Sequence, residues 1–251
     1  MGETNRFSRW YTLPGGLLLV AALTACAPPD VTSDFHDPYE LRNREVFETN
    51  VEIDRALFKD RSGTGPGIPA PVRAGLTNFS ETFSLPQTIV NDALQFNIED
   101  VIHNSFRLAV NATLGFGGLM DPATELGLEK RDSDFGETLH VWGFDEGAYL
   151  VLPILGPSTE RDAVGKVVDL FTNPLGYVLP SPEKYVGTAT GIVASIGARG
   201  DFAGTVESVL YDSADPYAAA RLLYLDNRRF QLSGGDSGDA FFDPYEELYG
   251  E

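Results

Sequence analysis

The chain has 251 residues, 43% apolar and 22% charged, enough for one sizeable core or two small ones. Its formal charge is −19, and without the first 25 residues, which hold Arg6, Arg9 and Glu3, 16 basic groups face 36 acidic ones for a charge of −20. That balance excludes nucleic acid as a partner, and the lack of a polybasic patch excludes electrostatic adsorption to anionic lipid.

Any membrane attachment must therefore come from apolar burial or a covalent lipid. Residues 1–25 read as a secretory signal: Arg6 and Arg9 precede the apolar run Leu17–Leu23, which is too short to span a bilayer. Leu23-Thr-Ala-Cys26 resembles the bacterial lipoprotein box, in which the cysteine thiol receives diacylglycerol. Cys26 is the only cysteine of the chain, so no intramolecular disulfide can form and this thiol is the expected lipid anchor. Residues 26–36 read as a tether, with Ala27 after the cysteine as in many lipoproteins delivered to an outer membrane.

Asp37-Pro-Tyr-Glu40 has the form of a helix start, with Asp37 as N-cap and Pro38 at the first helical position. The same Asp-Pro-Tyr recurs at 215–217 and 243–245. In the helix that follows, 43–59, Val46, Phe47, Val51, Leu57 and Phe58 share a face, yet Asn43, Asn50 and Asp54 project into it. Residues 60–72 form a Gly/Pro loop, and helical pieces are expected over 70–81 and 86–96, the second opened by Pro86.

The most informative stretch is 97–121. On a helical period Val101, Ile102, Leu108, Ala109 and Ala112 share one broad face, while Asn97, Asp100, Asn104, Arg107 and Asn111 line a narrow stripe. A water-facing stripe usually carries Lys and Glu in ion pairs. Amides with one acid and one arginine instead suit a confined polar surface in which each donor and acceptor needs a partner, although an ordinary amphipathic helix with a solvated side would also fit. Gly115, Gly117 and Gly118 then free the backbone to turn.

A short helix is expected around 133–138. Leu139–Trp142 and Tyr149–Leu152 flank Gly143-Phe-Asp-Glu-Gly147, the pattern of a small hairpin. Thr159 and Asp162 make a capping-box-like pair before a helix that buries Ala163, Val164, Val167, Val168 and Phe171. Gly187, Gly191 and Ser195 fall four apart, which reads either as a glycine-bearing loop or as a helix face of small residues for close approach. Ala218–Arg229 is a strong helix with Arg221, Arg228 and Arg229 toward its end. Residues 231–251 are Gly-, Ser- and acid-rich and expected to be disordered.

These stretches resemble the MlaA (VacJ) family of outer-membrane lipoproteins. The resemblance rests on Asp37–Phe47, Leu85–Gln95, Arg107–Gly118 with Asp121, Asp134–Leu139, Leu152–Asp162 and Ser213–Tyr217, in that order behind a lipobox. It implies a mainly α fold, a single ring-like bundle of short amphipathic helices over 37–230 lying in one membrane leaflet, with a small β-hairpin. It also implies a non-enzymatic role without cofactor or metal: removal of mislocalised phospholipid from the outer leaflet of the outer membrane, through an amphipathic channel, to a periplasmic lipid-carrier protein, beside a trimeric porin. On this reading the protein is lipid-anchored on the periplasmic side of a Gram-negative outer membrane. Asn50, Asp54, Asp100, Asn104, Arg107 and Asn111 line the lipid path, with Arg107 toward the phosphate. Gly115, Gly117, Gly118, Gly143 and Gly147 belong to a movable gate.

Two other readings compete. A phospholipase would need an activated nucleophile with a base, but the three histidines, His36, His103 and His140, are scattered and no G-x-S-x-G elbow occurs. Gly235-Asp-Ser-Gly238 resembles a trypsin-type nucleophile site without a scaffold. A structural, porin-associated lipoprotein with no lipid path of its own would explain the anchor but not amides set into apolar helix faces.

Overall fold

The computed structural model describes residues 36–58 and 69–234. The signal segment with Cys26, the loop at 59–68 and the tail at 235–251, which holds the third Asp-Pro-Tyr, lie outside the described residues.

The chain is mainly helical. In order come α1 (Glu40–Phe58), α2 (Ala70–Leu94), α3 (Ile98–Thr113), α4 (Pro122–Glu125), α5 (Phe135–Val141), β1 (Tyr149–Leu152), β2 (Gly156–Thr159), α6 (Glu160–Thr172), α7 (Leu175–Val178), α8 (Val186–Asp201), α9 (Ala203–Glu207) and α10 (Pro216–Leu232). A 3₁₀ turn at Glu183–Tyr185 precedes α8, and a π-helical segment, Ser208–Asp212, follows α9. Among the described residues no helix is long and apolar enough to cross a membrane.

Several caps follow from sequence. The Asn97 side chain accepts from Asp100 N to open α3, Asp134 from Glu137 N to open α5, Thr159 from Asp162 N to open α6, and Asp215 from Ala218 N to open α10. Asp37 differs from the expectation of a cap. Helix α1 begins only at Glu40, and the buried Asp37 carboxylate receives the Tyr217 hydroxyl (2.5 Å), the Arg221 guanidinium (2.6 Å) and the Asn43 amide (2.9 Å), which ties α1 to α10.

Two expectations at 70–96 merge into one helix. Pro86 lies inside α2 rather than opening a new element. A mid-helix proline gives no N–H to the carbonyl four residues back and crowds it, a loss of about 3 kcal/mol in isolation. Here α2 is held along its length by α3 and α8, and that packing outweighs the break. The Gly187/Gly191 segment is helical and lies against α2. A Cβ on Gly187 would come within 2.0 Å of Phe83, and one on Gly191 within 2.8 Å of Ser80 Oγ, so only glycine permits this approach.

The hairpin is displaced from its expected position. Residues 139–141 end helix α5, and β1 pairs antiparallel with β2, Tyr149 opposite Thr159 and Leu152 opposite Gly156. The turn is Pro153-Ile154-Leu155, with Ile154 at φ +68° and Gly156 at +77°. Gly143 and Gly147 do take left-handed backbone, at +84° and +74°, but in the link from α5 to β1.

Helix α1 supplies what a third strand would. Asn43 donates to Tyr149 O (2.9 Å) and accepts from Val151 N (3.0 Å). Two turns on, Asn50 donates to Leu152 O (3.0 Å) and accepts from Ile154 N (2.8 Å). An isolated hairpin is marginal, and these amides complete its open edge. Beneath it sits a small apolar core of Phe47, Tyr149, Val151, Tyr217 and Leu225, with Phe47 edge-on to Tyr217 at 5.7 Å. Asn43→Ala leaves a buried carbonyl and a buried amide without partners. It should cost about 2–4 kcal/mol in chemical denaturation and expose the Val151 amide to hydrogen exchange; unchanged protection there would refute this role for Asn43.

Candidate functional site

Among the described residues, thirteen polar or charged side chains are buried against ten apolar ones, counting by type. Helix α3 shows the inversion most clearly. Asn104, Arg107 and Asn111 are buried, while Ile98, Ile102 and Phe106 are 61%, 52% and 61% exposed. Beyond its end Leu114, Phe116, Leu119 and Met120 continue the exposed apolar surface. A helix in a water-soluble globule would be turned the other way.

The buried stripe is satisfied by the segment that follows α3. Asn104 donates to Asp92 (2.8 Å) and to the Arg131 carbonyl (3.2 Å). Arg107 pairs with Asp121 (2.6 Å), donates to Thr124 Oγ1 (2.9 Å) and also donates to the Leu128 carbonyl. Asn111 donates to Asp121 (2.8 Å) and accepts from Ala123 N (3.0 Å). Asp100, at the mouth of the stripe, accepts from Asn97 and from Arg131 (2.5 Å each). On α1, Asp54 holds Arg199 of α8 through two bonds (2.9 and 3.0 Å) and accepts from the Tyr211 hydroxyl (2.8 Å). The Arg107 guanidinium, expected to face lipid phosphate, is thus taken up by Asp121, Thr124 and Leu128.

The turn after α3 is tightly constrained. A Cβ on Gly115 would meet the Asn111 and Met120 carbonyl oxygens at 2.4 Å, and one on Gly118 (φ +94°) would meet Thr82 at 2.7 Å. Gly117 (φ +74°) and Gly143 open onto free space, whereas a Cβ on Gly147 would strike Glu160 at 2.7 Å.

A polar cavity of about 600 Å³ opens beside α2. Ser84, Gln87 and Thr88, on the turns around Pro86, form one wall; Asp132, Ser133, Asp134 and Glu137 form a second, and Arg228, Gln231 and Leu232 of α10 close it. Asp134 serves twice, as cap of α5 and as partner of Arg228 Nη2 (2.7 Å). Arg228 also binds Asp162 through Nε (3.1 Å) and Nη2 (3.0 Å), and Tyr224 donates to the same carboxylate (2.6 Å). From its wall Gln87 donates to Asp169 (2.7 Å) and Thr172 (3.0 Å), while its Oε1 receives no donor. Burial, reinforced by the charge of Asp134, holds the Glu137 carboxyl above the usual range despite hydrogen bonds from Ser133 and Gln95 and the charge of Arg228.

None of the six residues read from the sequence as a lipid path lines this cavity; they lie in the packing that builds the surrounding helices. The cavity residues are spread from position 84 to 232, so no local period joins them. Two partial signals existed, the Asp134-Phe-Gly-Glu137 stretch and the arginines of the last helix.

The seam makes opposite demands on two carboxylates. Burial pushes Asp121 upward, but hydrogen bonds from Thr124, Asn111 and Arg107 with the arginine's charge outweigh it, leaving it below the usual range. Its contribution to stability is therefore present above the unfolded value and lost as pH falls through the folded one. Asp92 is held above the usual range by burial, with Asp100 adding to the effect, so its ionisation opposes folding at neutral pH. Arg107→Ala should destabilise by about 3–5 kcal/mol because it strands a buried partner. Asp92→Asn, which keeps an acceptor for Asn104, should raise the unfolding midpoint at neutral pH, with the gain shrinking on acidification. A destabilised Asp92→Asn with no pH dependence would contradict the sign.

Comparison with known proteins places these features. Residues 35–231 match the family model "MlaA lipoprotein". The chain is 30% identical over 236 residues to the intermembrane phospholipid transport system lipoprotein MlaA of Haemophilus influenzae, covering 89% of this chain and 91% of that one. It is 31% identical over 205 residues to the protein of the same name from Escherichia coli, covering 80% of each. An uncharacterized protein of Rickettsia prowazekii is 34% identical over 190 residues, 75% of this chain and 74% of the relative. A solved structure described under "Structural basis for maintenance of bacterial outer membrane lipid asymmetry" superposes with a TM-score of 0.64 at 26% identity, covering 78% of this chain and 98% of that chain. A family match over most of the described helices, with full-length relatives at this identity, makes the chain a member of the MlaA lipoprotein family.

Proposed function

We propose that this chain is the lipid-anchored outer-membrane component of an intermembrane phospholipid transport system. It removes mislocalised phospholipid from the outer leaflet, so maintaining lipid asymmetry, and passes it to a periplasmic carrier without chemical change. It does so while held beside a trimeric porin, with Cys26 as the acylated anchor. The names borne by the Haemophilus and Escherichia relatives, and the subject of the similar solved structure, support this reading.

The observation that carries it is the inverted helix. Short helices expose Ile98, Ile102 and Phe106 and bury an amide-rich stripe, next to an open polar cavity. Apolar surface turned outward on helices of which none, among the described residues, is long and apolar enough to cross a membrane suits one leaflet, and the polar interior gives a head group a path. In this arrangement Asn50, Asp54, Asp100, Asn104, Arg107 and Asn111 serve the path by fixing the walls around it. Of the turns read as a gate, Gly117 and Gly143 open onto free space and are the places where the helices move as lipid passes, while Gly115, Gly118 and Gly147 are the closely packed points about which they move.

Ser84 lines the cavity yet is itself exposed, so a larger side chain there fills the opening without overpacking the interior. In cells lacking the endogenous protein, the wild-type chain should clear outer-leaflet phospholipid, as read by labelling from outside. Ser84→Trp at wild-type abundance should leave most of it in place. Full clearance by Ser84→Trp would rule out this cavity as the lipid path.

A further inference from the structure

The charges lining the cavity are not equally free. Arg228 is taken up by Asp134 and Asp162, and Lys130, at the edge, by Asp132 (3.0 Å) and Glu81 (3.2 Å). Glu137 is the exception. Among the described residues no cation lies within ion-pair distance of it, and its polar neighbours Ser133 and Gln95 are neutral, the Gln95 amide being turned to Ser133 (2.8 Å) and Thr138 (3.1 Å). The other acceptor left over is Gln87 Oε1, buried and without a donor because the amide nitrogen is turned to Asp169 and Thr172. The cavity thus has unmet acceptors and negative charge, and its guanidinium is already spent.

A ligand that suits such a lining brings a positive charge and N–H donors together. We propose that the cavity selects phospholipids whose head group bears a primary ammonium, with Glu137 and Gln87 as its acceptors, over phospholipids of net negative charge. This rests on the transport reading above and adds to it a substrate class. A primary ammonium offers three donors and one charge. A quaternary ammonium matches the charge but leaves the Gln87 carbonyl unpaired. An anionic head group has neither feature and must place its phosphate beside Glu137 and Asp134 with no free cation to receive it.

The full-length chain, purified in detergent, can be offered equal amounts of phosphatidylethanolamine, phosphatidylcholine and phosphatidylglycerol with identical acyl chains, and the retained lipid weighed by native mass spectrometry. The expected order is ethanolamine, then choline, then glycerol, with the first exceeding the last roughly three- to tenfold. Glu137→Gln, which keeps the size and hydrogen bonds of the side chain, should bring ethanolamine and glycerol lipids close to parity. Asp132→Lys, at a well-exposed position, removes a carboxylate from the wall and adds a cation, and should shift retention toward the glycerol lipid. Equal retention by the wild type, a preference for the anionic lipid, choline equal to ethanolamine, or an ethanolamine preference that survives Glu137→Gln would each overturn the proposal while leaving transport standing. Retention of no phospholipid at all would defeat the transport reading and this proposal together.

Discussion

The Asp121 carboxylate accepts hydrogen bonds from the exposed hydroxyl of Thr124 and from the buried donors Arg107 and Asn111. In a protein whose apolar helix faces turn outward, such donors cannot rotate toward water. Each must be met from inside, so the chain after α3 is obliged to fold back along the helix it has just left. The strap at 121–131 follows from that obligation, and with it the position of Asp132–Glu137 at the cavity wall. The cavity is in this sense a consequence of how a buried arginine is satisfied.

The same principle recurs at each junction. Asn43 and Asn50 complete the open edge of a two-stranded hairpin that could not stand alone. Asp37 binds α1 to α10, Asp54 binds α1 to α8, and Asp162 gathers Tyr224 and Arg228 under α6. The apolar core beneath the hairpin is small, and polar ties hold much of the rest. Buried ion pairs are weak sources of net stability but severe penalties when broken. A frame built this way resists small distortions and fails when one partner is lost.

Much of this was legible in the sequence, for a physical reason. A stripe of Asn, Asp and Arg at helical spacing fitted either a solvated side or a confined polar face, and α3 shows Asn104, Arg107 and Asn111 buried, the second of the two. Gly187 and Gly191, four residues apart, left a glycine-bearing loop and a closely approached helix both open, and the structure shows the helix. The hairpin was misplaced because Gly143 and Gly147 are strong turn signals, whereas the true turn places Ile154 at positive φ, which a β-branched residue rarely adopts. Pro86 was read as a helix start because local propensity disfavours an interior proline, and tertiary packing overrode it. The cavity left only partial signals in the Asp134–Glu137 stretch and the arginines of the last helix, because Gln87, Glu137 and Arg228 are joined only by the packing of α2, α5 and α10.

The central claim is that the exposed apolar face of α3 meets acyl chains while the Ser84–Glu137 cavity meets water. It is tested most directly by placing single fluorescent probes at Ile102, Phe106 and Ser84 of the membrane-reconstituted full-length chain and comparing quenching by lipid-borne and aqueous agents. The account requires probes at Ile102 and Phe106 to be quenched from the lipid phase, and the probe at Ser84 from water. Aqueous quenching at Ile102 and Phe106 as strong as at Ser84 would contradict it.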